Sequence, residues 1–230
     1  MKFSNSIGLD EVGRWPLAGP VTVGGVFCMP NFWKNLPEWY EQVTDSKKLS
    51  AWQRSHLALL IVSHPDIVWS ISSSSAKVID RYGIVYAIRK ASMNVINDIS
   101  YKIQPVSEDW YNISLLLDGK TDYRLKKELF LNNGLPRRSS SQWYGNVNII
   151  GLETIVHGDA LVWQISAASI IAKVQRDEYM MSLSKKKKYQ SYGFDRHKGY
   201  GTLLHRTMIA QYGLSDVHRK SFCKNIIITS

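Results

Sequence analysis

The chain is predicted to be an α/β protein built on a mixed sheet. Three observations carry this prediction. Short β-branched apolar runs alternate with segments of helical periodicity. The first two runs are separated only by the turn-rich "GRWPLAG", as in a hairpin, which makes one pairing antiparallel. A long late helix pattern carries Ala160, Ala167, Ala168 and Ala172, small residues that let its backbone lie close against a sheet.

Taken in order, "SIGLDEV" reads as the first strand, "GPVTVGGVFCM" as the second and "DIVWSISSS" as the third. Between the second and third, "DSKKLSAWQRSHLALLIVS" reads as a helix. Ser50 is its N-cap, and Leu57, Leu60 and Ile61 recur at helical spacing. One longer helix is expected over "AKVIDRYGIVYAIRKASMNVINDI", with Ile84, Ala87, Ile88, Ala91 and Val95 as its apolar stripe. "YNISLLLDGK" is a short buried strand ending at Asp118 and a turn glycine. Residues 132–146 are polar and read as a loop, and "NVNIIGLETIVHG" is another strand. Asp159 is expected to open the strongest helix, "DALVWQISAASIIAKVQRDEYMMSL". The chain, 1–230, is expected to be one domain, with 183–230 a basic, aromatic-rich helical C-terminal region.

Composition narrows the partners. With 29 basic against 19 acidic residues the chain carries a formal charge of +10, which points to a polyanion, most often nucleic acid. The aromatics Tyr192, Phe194 and Tyr200, with His197, sit among the bases of the tail and strengthen that reading. Two cysteines, Cys28 and Cys223, without metal-type spacing suggest a reducing compartment. No secretory signal or membrane-spanning run is seen, so a cytoplasmic protein is expected.

Four acids fall at element boundaries: Asp10 and Glu11 near the end of the first strand, Asp118 ending a central strand, and Asp159 starting a helix. Sites in open α/β sheets gather beyond the carboxyl ends of strands. Alternation sends Asp10 and Glu11 to opposite faces, so both serve one site only if the strand ends there, and Gly13 supports such an ending. Hard oxygen donors suit Mg²⁺ or Mn²⁺. Two such ions roughly 3.5–4 Å apart activate a water and stabilise a leaving oxygen. Taken singly, each acid also has an ordinary reading as a turn residue, an N-cap or a solvated pair.

The ordered motifs "GLDEVGRWPLAGPV", "DSKKLS", "LLLDG", "GDALVWQISAASIIAKVQRD" and "YGFDRHKGYGT", with a later histidine, strongly resemble the ribonuclease HII family over nearly the whole chain. The resemblance implies a ribonuclease H-like fold, a five-stranded mixed sheet flanked by helices with a helical C-terminal region. It also implies an endoribonuclease acting on RNA–DNA hybrids and on ribonucleotides embedded in duplex DNA. Cleavage falls 5′ to the ribonucleotide, with two metal ions, leaving 3′-OH and 5′-phosphate ends, and a monomer is expected. The family's catalytic carboxylates fall on Asp10, Glu11, Asp118 and Asp159. Its glycine-arginine-glycine turn, which reads the 2′-OH largely through backbone groups, falls on Gly13, Arg14 and Trp15, and its sugar-stacking tyrosine on Tyr200. Lys47, Lys173 and Arg176 are the implied phosphate contacts. Lys173 and Arg176, three apart on a helix, are expected to share an exposed face.

The chain departs from the family pattern in lacking a proline before "YGF", where Gln190 and Ser191 stand, and in Trp15 at a glycine position. Glycine lets a backbone approach a sugar, so the tryptophan is expected to weaken 2′-OH recognition, with Trp15→Gly gaining activity. Pro16 nevertheless holds Trp15 extended, a conformation any residue adopts without strain. Two other readings stay open: a metal-free ribonuclease using His197 and His218 as acid and base, and a hybrid-binding protein whose site Trp15 has weakened.

Overall fold

A computed structural model describes residues 3–103, 111–130, 147–224 and 226. The loop expected at 132–146 lies outside the described residues. Five strands, β1 (Ser6–Val12), β2 (Val21–Cys28), β3 (Ile67–Ser74), β4 (Tyr111–Asp118) and β5 (Val147–Ile155), form one sheet in the order β3-β2-β1-β4-β5. β1 pairs antiparallel with β2, and β2 with β3, while β1–β4 and β4–β5 are parallel. The hairpin and the mixed sheet are as expected.

Among the described residues the α-helices are α1 (Pro30–Lys34), α2 (Ala51–Ser63), α3 (Ala76–Tyr82), α4 (Ile84–Lys102), α5 (Leu125–Leu129), α6 (Gly158–Leu161), α7 (Trp163–Ser184), α8 (Phe194–His197) and α9 (Leu203–Tyr212). α2 begins at a full capping box: the Ser50 hydroxyl accepts the N–H of Gln53, and the Gln53 side chain accepts the N–H of Ser50. Such a cap stabilises a helix by about 1 kcal/mol.

Two expected helices are each broken in two. The run from Ala76 is interrupted at Gly83, whose φ of +83° ends α3 and redirects the chain into α4. The run from Asp159 is interrupted at Val162, which is extended (φ −125°, ψ 115°) between α6 and α7. Asp159 is therefore the second residue of a one-turn helix whose N-cap is His157, not the cap of the long helix.

The sheet separates two apolar layers. On one face Ile7, Leu9 and Val23 pack against Ile88, Val95, Ile96 and Ile99 of α4. Each fully buried isoleucine there contributes roughly 1.5–3 kcal/mol. On the other face α7 lies on β1 and β2 at backbone contact distance. A Cβ placed on Gly24 would stand 2.5 Å from the Ala168 carbonyl oxygen, so only glycine fits. The alanines of α7 and the glycine of β2 thus set how close the helix comes, and this brings Ser169 over the end of β1.

The tail is less of a surface than its composition suggested. Tyr192 and Phe194 are buried in a third apolar cluster with Ala18, Met180 and Leu183, and His197 is buried beside them. Tyr200 stays partly exposed. Among the described residues no helix is long and apolar enough to cross a membrane.

Candidate active site

β1 ends at Val12, and Gly13 follows with φ +85°, a left-handed conformation that favours glycine. The early ending lets neighbouring residues that alternate across the sheet open onto one cavity. Asp10, Glu11, Gly13, Arg14, Trp15, Lys47, Asp118, Lys173 and Tyr200 all line it, together with Val12, Ser46 and Ser169. A larger cavity lined by Thr22, Ser73, Lys77 and Tyr179 holds a single acid, Asp216, and no carboxylate grouping.

Asp10 is buried under α7 and accepts a hydrogen bond from the Ser169 hydroxyl, which in turn lies 2.9 Å from the Ser46 hydroxyl. Burial holds its carboxyl well above the usual proton affinity, and Glu11, Asp118 and Asp159 add repulsion. Glu11 points toward α4's side of the sheet. Burial raises its proton affinity too, opposed by the Tyr123 hydroxyl, which donates to Oε1 at 2.7 Å, and by Arg14, 3.9 Å away. Arg14 also donates to the Tyr123 oxygen at 3.1 Å. Asp118 is raised by burial and by Asp159, while the Asp159 N–H donates to its Oδ1 at 3.4 Å. Asp159 receives the Lys47 ammonium on Oδ2 at 3.0 Å.

These partners answer what holds four mutually repelling acids together. Two of them are turned toward internal donors, Glu11 toward Tyr123 and Arg14, and Asp159 toward Lys47. In this arrangement no three His, Cys, Asp or Glu side chains among the described residues form a ready cation cage. Tyr123 and Ser169 escaped sequence reasoning, because nothing in the spacing of a lone Tyr or Ser marks it as a carboxylate partner.

The remaining expected residues divide. Tyr200 lies over the Arg176 guanidinium at 5.6 Å from the ring centroid and borders the cavity. Lys173 borders it too, paired to Asp177 at 2.7 Å. Arg176 does not share that exposed face. It is fully buried, and its guanidinium donates to the carbonyls of Pro20 (3.0 Å), Lys198 (3.0 Å) and Ala18 (3.3 Å). Its place is inside the protein, joining loops to α7. Trp15 is 73% exposed and its backbone is not left-handed. Its indole lies over the Arg14 guanidinium, 5.0 Å from the ring centroid, so Arg14 sits between Trp15 and Tyr123.

The histidines are wired as structure. His197 accepts the Gly199 N–H on Nδ1 (3.1 Å) and bonds the Tyr192 carbonyl through Nε2 (2.8 Å). His218 accepts the Ser215 N–H on Nδ1 (2.9 Å), its Nε2 meets that of His205 at 3.0 Å, and His205 Nδ1 reaches the Tyr200 carbonyl at 2.9 Å. Burial pulls both His205 and His218 down to about 4, so both rings are neutral at pH 7. Buried rings with their nitrogens committed do not supply the acid and base of the histidine mechanism.

The family model for ribonuclease HII matches residues 7–225. The chain belongs to the ribonuclease HII family. The ribonuclease HII of Chlamydia pneumoniae is 37% identical over 96% of this chain and 84% of its own length. That of Prochlorococcus marinus is 36% identical over 98% of this chain and 100% of its own. The ribonuclease H2 structure from Pyrococcus horikoshii shares the fold, with a TM-score of 0.66, 24% identity, and 97% of each chain covered. As a ribonuclease HII family member the chain is an enzyme, an endonuclease of the ribonuclease H type. The reading of a weakened binding protein finds no support among these relatives.

Proposed function

We propose that this ribonuclease hydrolyses the phosphodiester on the 5′ side of a ribonucleotide, in RNA–DNA hybrids and in duplex DNA carrying embedded ribonucleotides, leaving 3′-OH and 5′-phosphate ends. The observation that carries the reading is that Asp10, Glu11 and Asp118 line one cavity where β1 and β4 end, with Asp159 beside Asp118. Asp10, Glu11 and Asp118 hold their protons more tightly than free carboxyls. A buried acid that faces three others and is met by a single hydroxyl is a poor stabilising element on its own. It is a good donor to a hard divalent cation.

The donor chemistry suits Mg²⁺ or Mn²⁺: Asp10, Glu11, Asp118 and Asp159 would hold the metal once Glu11 and Asp159 turn from Tyr123 and Lys47 toward it, with two ions when substrate is bound. The ions supply water activation and charge stabilisation at the phosphate. The chain's own residues do the rest. Tyr123 and Arg14 fix Glu11, Ser169 fixes Asp10, and the 158–159 backbone fixes Asp118. Lys173 faces phosphate, and Tyr200 supports the sugar beside the turn at 13–15.

Cleavage of a duplex with one ribonucleotide, with Mg²⁺ and then with chelator, tests the reading. Cutting is expected only with the ion, giving 3′-OH ends. Full cutting in chelator with 2′,3′-cyclic phosphate ends would sink it.

Lys47→Met is expected to tighten Mn²⁺ binding in a calorimetric titration, because it removes the ammonium that competes for Asp159. The metal-free variant is expected to be less stable than wild type, because Lys47 is 79% exposed but the Asp159 side chain is only 7% exposed and loses its cation. Weaker Mn²⁺ binding in the variant would show that Lys47 assists the site instead.

The geometry also revises the expectation for Trp15. An unstrained backbone with the ring laid on Arg14 leaves little for glycine to relieve. Trp15→Gly is expected to change kcat/KM on one-ribonucleotide duplexes by less than about threefold, the size of one exposed cation–π contact. A larger gain would mean that the indole obstructs the sugar.

A further inference from the structure

The Gly13-Arg14-Trp15 turn is held from the far end of the chain. Arg219 is fully buried, and all three guanidinium nitrogens donate into the segment around the turn: Nη2 to the Gly13 carbonyl (2.6 Å), Nη1 to the Arg14 carbonyl (2.9 Å) and Nε to the Gly19 carbonyl (3.0 Å). Its own N–H donates to the Leu17 carbonyl at 2.7 Å. Among the described residues no carboxylate lies within ion-pair distance of this buried cation, and Asp80 acts on it only from farther away. An apolar side chain of similar volume would fill the space without desolvating a charge. What only arginine provides is a rigid fork that addresses several carbonyls at once.

The consequence follows from peptide geometry. In a trans peptide the C=O and the next residue's N–H point to opposite sides. Drawing the Gly13 and Arg14 carbonyls toward Arg219 turns the N–H groups of Arg14 and Trp15 away from it, and both residues line the cavity. Neither N–H meets a backbone acceptor among the described residues. Beneath the turn, Arg176 lies so close that a Cβ on Gly13 would fall 2.1 Å from its Nε, so the turn has a floor and cannot sink.

We propose that Arg219 is a positioning residue for sugar recognition: it holds the 13–15 turn so that two backbone N–H groups face the substrate. The proposal rests on the reading that this turn contacts the ribonucleotide sugar. Lysine at 219 keeps the charge but loses the fork. The peptides at 13–15 are then free to rotate their N–H groups away.

The test compares wild type, Arg219→Lys, Arg219→Gln and Asp80→Asn. Asp80 anchors the same C-terminal segment by accepting the N–H groups of Lys220 and Ser221, both at 2.9 Å, and its hydrogen bonds go to that segment and not to residues 13–15. Selectivity is read as the Ki of an all-DNA duplex divided by the KM of the matching one-ribonucleotide duplex. Both Arg219 variants are expected to lose selectivity by about tenfold, the loss of one hydrogen bond between a backbone N–H and the sugar hydroxyl, with the all-DNA Ki unchanged. Asp80→Asn is expected to lower Tm and keep selectivity. Folded Arg219 variants that keep selectivity, or an equal loss in Asp80→Asn, overturn the positioning role alone. Wild type without selectivity overturns the sugar reading and this proposal with it. Amide exchange in the wild type needs no variant. The Arg14 and Trp15 N–H groups are expected to exchange quickly inside an ordered turn, and protection of either overturns the proposal.

Discussion

Asp10→Asn is expected to lower turnover by about 1,000-fold or more, while the metal-free variant melts at a higher temperature than wild type at pH 7. The first half follows from removing a buried donor at the centre of the carboxylate group, where a bound cation is worth several kcal/mol at the transition state. The second follows from linkage. Asp10 holds its proton more tightly in the folded protein than in the unfolded chain. Folded protein therefore binds more protons between the ordinary carboxylate range and the raised one, and stability falls as pH rises through that interval. Wild type at pH 7 carries the part of this penalty that has built up by that pH, and the asparagine variant carries none of it. Glu11 and Asp118 are shifted in the same direction, so they keep part of the slope in the variant. Added Mg²⁺ is expected to raise the wild-type Tm by mass action and the variant's much less. Calorimetry in chelator at pH 5 and pH 7, repeated with Mg²⁺, measures all of this. A variant that melts below wild type at pH 7 in chelator contradicts the account of Asp10 as a strained donor.

Arg176→Ala is expected to destabilise the fold by about 3 kcal/mol or more, since each buried acceptor left without a donor costs about 1–3 kcal/mol. Three carbonyls, those of Ala18, Pro20 and Lys198, lose their donor together in a dry setting. Lys173→Ala is expected to behave oppositely. Its pair with Asp177 is an i,i+4 contact on the helix, worth about 0.3–0.5 kcal/mol. Its loss instead lowers substrate affinity and flattens the salt dependence by about one counterion. Urea denaturation and binding at several salt concentrations separate the two residues. A stable Arg176→Ala protein with a flattened salt slope would return Arg176 to the substrate surface.

That contrast marks where sequence reading stops. The strands were legible because β-branched runs between turn residues have few other uses, and the end of β1 was legible from Gly13. The acids were legible because each interrupts an apolar context, as in "SLLLDG". Arg176 was misplaced because helical spacing gives only the angle between side chains, here one that suits Lys173. What lies over that side of α7 comes from residues 18–20 and 198, and no local pattern records their approach. Tyr192, Phe194 and His197 failed for the same reason: an aromatic beside lysines looks like a nucleic-acid surface until another segment covers it. The break at Gly83 was written in the sequence, whereas the one at Val162 lacks a Gly or Pro and depends on how α7 seats against the sheet.

The bond from Arg219 to Gly13 joins residues 206 positions apart, and the bridge from Ala18 to His218 spans a similar distance. Closing so long a loop costs entropy before any contact rewards it, and rates of folding fall as contacts become more distant in sequence. The central strand can pair early with β2 next to it, but the turn that follows it must wait for nearly the last residues of the chain. Acquisition of activity during refolding is therefore expected to lag behind recovery of helical signal. The enzyme would pass through a state with a formed sheet, assembled acids and an unset turn. Simultaneous return of circular dichroism and of cleavage in stopped-flow and quenched-flow experiments would show that the two ends meet before the sheet is complete.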